Sequence, residues 1–207
     1  MKHEDYYRNA RPDVVALIPA DTRRLLEVGC GAGNAGALAK ARLGVSEAIG
    51  VELSPSAAAE AETLLDRVIR GDVETIALDF PEGYFDCVVF ADVLEHLKDP
   101  WAVLRKIRPL LSDDGCVVAS IPNLQHLKPV LKILFDRFQY EEAGLLDSTH
   151  LRFFTLSTIK SLFGETGYRV ERVVPVRSRK MSLLKNLSLG TLRKFTTFQY
   201  LVVARKN

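Results

Sequence analysis

Three glycines follow a short apolar segment near the start of the chain, in the run Leu25-Leu26-Glu27-Val28-Gly29-Cys30-Gly31-Ala32-Gly33. Glycine has no Cβ atom, so it enters left-handed backbone conformations and lets a ligand approach the main chain. An alanine-rich stretch suited to a helix follows. A strand, a glycine turn and a helix in this order are typical of the ligand site of a doubly wound α/β sheet.

Carboxylates end three of the predicted strands, and their positions indicate which ligand the glycine turn would take. Glu27 stands just before the glycines, where it suits an ammonium group and repels a pyrophosphate. Glu52 ends the second strand, about 20 residues beyond the glycines, where an acid binds both ribose hydroxyls. Asp72 ends the third strand and can reach an adenine amino group. S-adenosylmethionine, which has an ammonium, a ribose and an adenine but no phosphate, matches these acids.

The run Gly31-Ala32-Gly33-Asn34-Ala35-Gly36 also matches the dinucleotide fingerprint G-x-G-x-x-G. That fingerprint needs a pyrophosphate at the helix N-terminus, where the helix dipole favours an anion. The Tyr-x-x-x-Lys pair of short-chain dehydrogenases is absent from the sequence. An NAD(P)-dependent oxidoreductase therefore remains the alternative enzyme. A catalytically inactive, cofactor-binding partner protein is the non-enzymatic alternative.

Two histidines are candidates for catalysis. The pKa of an unperturbed imidazole, about 6.5, suits removal of a proton from a hydroxyl group near neutrality. His150 lies at the predicted edge of an acceptor pocket, so we predict that it is the general base; the alternative is a histidine that caps the following helix. His96 follows the predicted fourth strand, close to Asp92 and Glu95. In a helix these three share a face and could hold a divalent ion, but we favour a salt-bridged turn and predict no metal site.

The elements that must position these residues alternate between strand and helix, which indicates a parallel sheet covered on both faces. We predict an α/β fold with a doubly wound, Rossmann-like sheet of seven strands, mostly parallel, in which the last strand is inserted antiparallel beside the sixth. The predicted strands span 23–28, 46–52, 68–71, 85–91, 116–121, 168–176 and 195–205. The predicted helices span 34–42, 99–111 and 155–166, and a further helix begins at Ser54-Pro55. A turn at 113–115 and a loop at 138–150 complete the pattern.

Several segments taken together resemble class I S-adenosylmethionine-dependent methyltransferases. They are the glycine run, G-V-E-L-S at 50–54, G-D-V-E at 71–74 and F-D-C-V-V-F-A-D-V-L-E-H-L at 85–97. The segment D-S-T-H-L-R-F-F-T at 147–155 is similar to a subgroup associated with glycan and polysaccharide biosynthesis. The resemblance implies transfer of a methyl group from S-adenosylmethionine to a small-molecule or glycan-like acceptor. We predict transfer to a hydroxyl, since a histidine base is available and no Asn/Asp-Pro-Pro-Tyr motif follows the fourth strand.

The resemblance also implies the cofactor-binding residues. At the methionine end of the cofactor they are Glu27, Gly29, Cys30 and Gly31. Glu52 would bind the ribose, and Leu53, Asp72 and Val73 the adenine. Ala91 and Asp92 would border the sulfonium. For Asp72 the alternative is a helix N-cap. Tyr6 and Tyr7 either fold over the cofactor or are surface aromatics.

Length and composition place few other limits on the chain. Its 207 residues, 47% hydrophobic and 26% charged, are typical of a globular protein, and we predict one domain over 1–207, with 122–154 and 177–194 as acceptor-side insertions. Apolar runs are too short to span a membrane and the polar start does not resemble a secretory signal, so we expect a cytoplasmic protein. The three cysteines are expected to be buried, reduced thiols.

Positive charge is concentrated towards the end of the chain. The net charge is +2, yet residues 175–207 carry eight Lys or Arg and no Asp or Glu. Lys128, Lys132 and Arg137 also flank an apolar stripe over 124–138, and 181–189 is apolar and basic. These segments could cover the acceptor, contact an anionic membrane that carries a lipid-linked acceptor, form a homodimer contact, or pack on the core. Few aromatics interleave the basic residues, so we expect no nucleic-acid partner.

Overall fold

A seven-stranded sheet forms the centre of the computed structural model, which describes residues 8–177 and 193–207. Its strands are β1 (Arg24–Val28), β2 (Glu47–Glu52), β3 (Arg67–Arg70), β4 (Phe85–Ala91), β5 (Leu111–Pro122), β6 (Tyr168–Arg177) and β7 (Thr197–Lys206). The spatial order is β3-β2-β1-β4-β5-β7-β6. β7 lies antiparallel between β5 and β6, and the other neighbouring pairs are parallel. The predicted fold class is confirmed.

The helices lie between these strands, and local sequence signals set many of their ends. They are α1 (Pro12–Val15), α2 (Asn34–Leu43), α3 (Pro55–Ala61), α4 (Pro100–Ile107), α5 (Leu127–Leu134), α6 (Leu156–Glu165) and α7 (Arg193–Thr196). Ser54 caps α3, with Pro55 at its first position. Gly44, which ends α2, and Gly167, which follows α6, have positive φ, as the C-terminal end of a helix often requires.

Several predicted boundaries differ from the structure. The α4 helix ends at Ile107 and continues as a 3₁₀ turn over 108–110, so it is shorter than predicted. The predicted turn at 113–115 lies within β5, where the register with β4 shifts between the pairs Phe85–Leu111 and Cys87–Cys116. The apolar stripe at 124–138 forms a helix only over α5. The sequence analysis missed α1 and α7.

The core occupies both faces of the sheet, because successive residues of each buried strand point to opposite sides. Leu26 and Val28 pack on one face with Phe90 and Ile121, while Leu25 packs on the other. All three cysteines are buried and free, as predicted. Within the described ranges, no helix has the length and apolar character needed to cross a bilayer. The segment 181–189 and residues Tyr6 and Tyr7 lie outside the described residues.

Candidate functional site

The glycine turn follows β1 at the carboxyl edge of the sheet. Gly29, Gly31 and Gly33 have φ values of 68°, 55° and 83°, a left-handed region that side chains with a Cβ atom rarely enter. A Cβ atom on Gly29 would also lie 2.5 Å from Cγ2 of Val93 in the loop after β4. The turn lies beside the crevice between β1 and β4, where the strand order reverses and doubly wound sheets bind their ligands.

The amide groups of this turn are occupied by partners within the protein. The N–H of Gly29 donates to the carbonyl oxygen of Val51 at 2.8 Å. The N–H of Gly31 donates to Oε2 of Glu52 at 2.8 Å, and that of Gly33 to the carbonyl oxygen of Cys30 at 2.9 Å. A loop that binds pyrophosphate instead directs such donors at the anion. This turn is therefore poorly suited to bind the pyrophosphate of a dinucleotide.

Glu27 is the predicted ammonium ligand, and it already occupies a donor at the N-terminus of α2. Its Oε2 accepts the N–H of Gly36, the third residue of that helix, at 2.9 Å. Burial raises the pKa of Glu27 to about 8; the Gly36 hydrogen bond and Arg11 oppose this rise, and the charge of Glu52 adds to it. An approaching cation would favour the ionised form of this carboxyl group, and an approaching anion would oppose it.

Glu52, the predicted ribose ligand, is buried at the end of β2. Its Oε2 accepts from Gly31, and its Oε1 accepts the N–H of Ser54 at 2.8 Å. A carboxylate has about four acceptor positions, so two remain for ribose hydroxyls. Cys30 lies nearby as a buried thiol, whose pKa is raised by burial and by Glu27 and Glu52. Cys30 is therefore a small, neutral side chain in this site and not a thiolate.

The predicted adenine residues differ in exposure. The Leu53 side chain is 68% exposed, whereas Val73 is buried. Oδ1 of Asp72 accepts the N–H of Glu74 at 2.9 Å, and a turn rather than a helix follows it. Asp72 therefore caps a single turn rather than a helix.

Asp92 is bound to a residue that the sequence analysis did not select. The buried side chain of Arg11 donates to the carboxylate of Asp92 and to Oγ of Ser120 in β5. The Ser120 hydroxyl also donates to Asp92 Oδ1 at 2.6 Å. Burial lowers the pKa of Arg11, but the hydrogen bond to Asp13 and the charge of Asp92 outweigh it and raise that pKa. Arg11 and Asp92 both have positive φ, so this contact holds an unusual backbone at the end of β4.

The two histidine candidates meet beyond the end of β4, although 54 residues separate them in sequence. The rings of His96 and His150 lie edge to face, with centroids 4.7 Å apart. Nδ1 of His96 lies 3.1 Å from the carbonyl oxygen of Thr149, and the N–H of Leu151 donates to the carbonyl oxygen of Glu95 at 2.8 Å. Backbone contacts therefore bring the 147–152 segment against the residues after β4.

The structure corrects the set of residues considered for a metal ion. Leu94–His96 is a short 3₁₀ turn, and Asp92 lies outside it with φ of 57°. Asp92 therefore does not share a helix face with Glu95 and His96. Among the described residues, the group compact enough for an ion is Glu95, His96 and His150, whose ligand atoms all lie within 4.8 Å of one another.

A family model for a methyltransferase domain matches residues 1–173. The chain belongs to this methyltransferase family. Solved structures of S-adenosylmethionine-dependent methyltransferases share its fold. The acids around the glycine turn, together with the internally bonded N–H groups of Gly29, Gly31 and Gly33, fit a ligand without phosphate.

Characterised proteins with related sequences are also methyltransferases. The methyltransferase is 29% identical over 123 residues to trans-aconitate 2-methyltransferase of Methylobacterium radiotolerans, a match that covers 59% of this chain and 47% of the relative. It is 32% identical over 117 residues to ubiquinone biosynthesis O-methyltransferase of Xanthomonas campestris, covering 53% and 47%. The chain thus spans about half the length of the curated relatives it matches.

Solved structures of other methyltransferases share the fold. An S-adenosylmethionine-dependent methyltransferase from Archaeoglobus fulgidus superposes with a TM-score of 0.70 at 20% identity, covering 99% of this chain and 95% of its own. One from Mesorhizobium loti gives a TM-score of 0.70 at 21% identity, covering 99% and 100%. At this identity the superpositions establish the fold.

Proposed function

We propose that this methyltransferase transfers a methyl group from S-adenosylmethionine to a hydroxyl oxygen of a small-molecule acceptor, with His150 as the general base. The observation that most supports the proposal is the meeting of His150 with His96 and Glu95 just beyond β4. These residues lie at the carboxyl edge of the sheet, where Glu27, the glycine turn and Glu52 also lie. The names of the two related proteins, both of which describe small-molecule acceptors, agree with it.

The proposed division of roles follows the sheet edge from β2 to β4. When bound, S-adenosylmethionine supplies a methyl group that is already activated on a sulfonium. Glu27 would bind the ammonium group, beside the backbone of Gly29 and Gly31. Glu52 would bind the ribose hydroxyls. The pocket for the adenine is formed by Leu53, Asp72 and Val73, and Ala91 and Asp92 border the sulfonium.

His150 would act on the acceptor. An O-methylation loses the hydroxyl proton, and an imidazole with a pKa near neutrality can accept it. The His150 side chain is buried, and its backbone N–H donates to the carbonyl oxygen of Asp147 at 3.0 Å. A buried base near the reacting hydroxyl both orients the acceptor and excludes water.

The His150→Ala variant tests the role of the base. We expect turnover to fall by roughly 10²-fold or more, the usual contribution of a general base, while the affinity for S-adenosylhomocysteine is unchanged. Turnover is measured as methyl-donor consumption with a panel of hydroxyl acceptors, and affinity by thermal shift. Wild-type turnover in the variant would remove His150 from the mechanism.

Two further experiments test a metal-dependent mechanism and a catalytically inactive protein. With EDTA present we expect unchanged turnover; loss of turnover with EDTA and its recovery on adding Mn²⁺ or Zn²⁺ would instead assign Glu95, His96 and His150 to a metal ion. A chain that binds S-adenosylhomocysteine but consumes no methyl donor with any acceptor would be a cofactor-binding partner protein rather than an enzyme.

A further inference from the structure

The α5 helix exposes its apolar residues in the described part of the chain. Pro129 is its one buried residue, whereas Ile133 is 52% exposed, Leu134 70% and Phe135, at its C-terminal end, 64%. Surface helices normally place their apolar stripe on the core. Contiguous exposed apolar surface of this kind marks a site of interaction.

The polar side of α5 is already paired with the protein. Nζ of Lys128 lies 2.8 Å from Oε2 of Glu141, and Nζ of Lys132 lies 2.6 Å from Oε1 of the same residue. Glu141 is fixed in its loop, where its N–H donates to the carbonyl oxygen of Leu146 at 2.8 Å. Glu141 engages both ammonium groups and cancels one of their two charges, which weakens the attraction of α5 for an anionic lipid surface and favours an apolar occupant.

A row of aromatic rings connects this face with the proposed base. The Phe153 ring lies 6.3 Å from that of His150 and 6.4 Å from that of Phe138, measured between centroids. Phe138 in turn lies 5.5 Å from Tyr140. Aromatic pairs at these separations form continuous apolar surface. Phe138 follows the end of α5 by four residues, so the row of rings runs from the segment after α5 to the candidate active site.

We propose that this tail surface, consisting of Leu131, Leu134, Phe135, Phe138 and Tyr140, binds the apolar body of the acceptor while its hydroxyl lies at His150. The inference rests on the proposed function and narrows its substrate class. The acceptor is an alcohol, a phenol or a glycan headgroup that carries an alkyl or aromatic tail. A free, wholly polar sugar lacks the part that this surface would bind.

Two glucosides with the same head provide the test. In the presence of S-adenosylhomocysteine, we expect octyl β-D-glucoside, kept below its critical micelle concentration, to bind and to shift the methyl NMR signals of Leu131 and Leu134. Methyl β-D-glucoside at the same concentration should leave them unchanged. The Leu134→Ser/Phe138→Ser variant should bind octyl glucoside at least roughly tenfold more weakly, because two apolar side chains lose their contact with the tail.

The control is Leu64→Ser, since Leu64 is also an exposed leucine but lies beside the N-terminus of α2. It should bind octyl glucoside as the wild type does. Equal binding of both glucosides, or an equal loss in the control, would overturn the proposal. Two other results would also overturn it. One is a dimer, detected by analytical ultracentrifugation, that the Leu134→Ser substitution dissociates. The other is protein that sediments with phosphatidylcholine–phosphatidylglycerol vesicles but does not bind octyl glucoside.

The same samples separate this inference from the proposed function. The Leu134→Ser/Phe138→Ser variant should retain wild-type affinity for S-adenosylhomocysteine, because the tail surface lies outside the cofactor pocket. If wild-type protein binds S-adenosylhomocysteine and consumes methyl donor but ignores octyl glucoside, only the tail surface is wrong. If it does not bind S-adenosylhomocysteine, the proposed function fails.

Discussion

Glu27 is a carboxyl group whose surroundings make its ionisation depend on the ligand. It is 4% exposed, and burial raises its pKa to about 8. At pH 7, about one unit below that value, about nine in ten molecules carry the proton. A bound ammonium group favours the charged carboxylate, so cofactor binding should expel this proton.

Calorimetry of S-adenosylhomocysteine binding at pH 7 tests this linkage. In buffers with different enthalpies of ionisation, we expect release of about one proton for each ligand bound, because Glu27 changes from neutral to ionised. The Glu27→Gln variant should bind more weakly and release no proton. An observed enthalpy that does not depend on the buffer would show that Glu27 does not ionise on binding.

The same shift predicts how stability changes with pH in the unliganded protein. The pKa of Glu27 is higher in the folded state than the ordinary value of 4.5, so between pH 4.5 and about 8 the folded state binds more protons. The free energy of unfolding should therefore fall as pH rises through this window. Urea unfolding at pH 5 and pH 8 should show a larger fall for wild type than for Glu27→Gln. An equal fall would contradict the shift.

At the scale of elements, the glycine turn positions the cofactor through its backbone. Gly29→Ala would force a Cβ atom onto a left-handed residue and within 2.5 Å of Val93. We expect the turn to relax away from its binding conformation and the S-adenosylhomocysteine affinity to fall roughly five- to thirtyfold, since left-handed strain is on the order of 1–2 kcal/mol. Isothermal titration measures the loss.

Gly164→Ala is the matched control for that variant. Gly164 is exposed in α6, and a Cβ atom there would have no neighbour within 4 Å. Alanine should raise the free energy of unfolding by up to about 1 kcal/mol through helix propensity and leave ligand affinity unchanged. Wild-type affinity in Gly29→Ala would show that the turn does not contact the ligand.

The ends of helices were predictable from the sequence where the residues that set them lie at the end itself. Ser54 with Pro55, and the glycines at 44 and 167, act through their own backbone or cap geometry, and the structure confirms them. The 3₁₀ turn at 94–96 and the register shift in β5 were not predictable. They depend on how β4 pairs with β5 and on the contact of Asp92 with Ser120, which no local pattern contains.

At the scale of the whole molecule, long-range contacts assemble the acceptor side of the site. The three acids at the strand ends could be placed from sequence, because parallel strands end at one edge of a sheet. The approach of His150 to His96, and of Arg11 to Asp92, crosses 54 and 81 residues of sequence. A single sequence offers no signal for such pairs.

The measurement that tests the central claim most directly is calorimetric titration of the protein with S-adenosylhomocysteine and, separately, with NAD⁺. The N–H groups of Gly29, Gly31 and Gly33 donate to internal partners, and Glu27 accepts the N–H of Gly36 at the start of α2. We therefore predict binding of S-adenosylhomocysteine, no binding of NAD⁺, and weaker S-adenosylhomocysteine binding in Glu52→Gln. Binding of NAD⁺ with no response to S-adenosylhomocysteine would contradict the account.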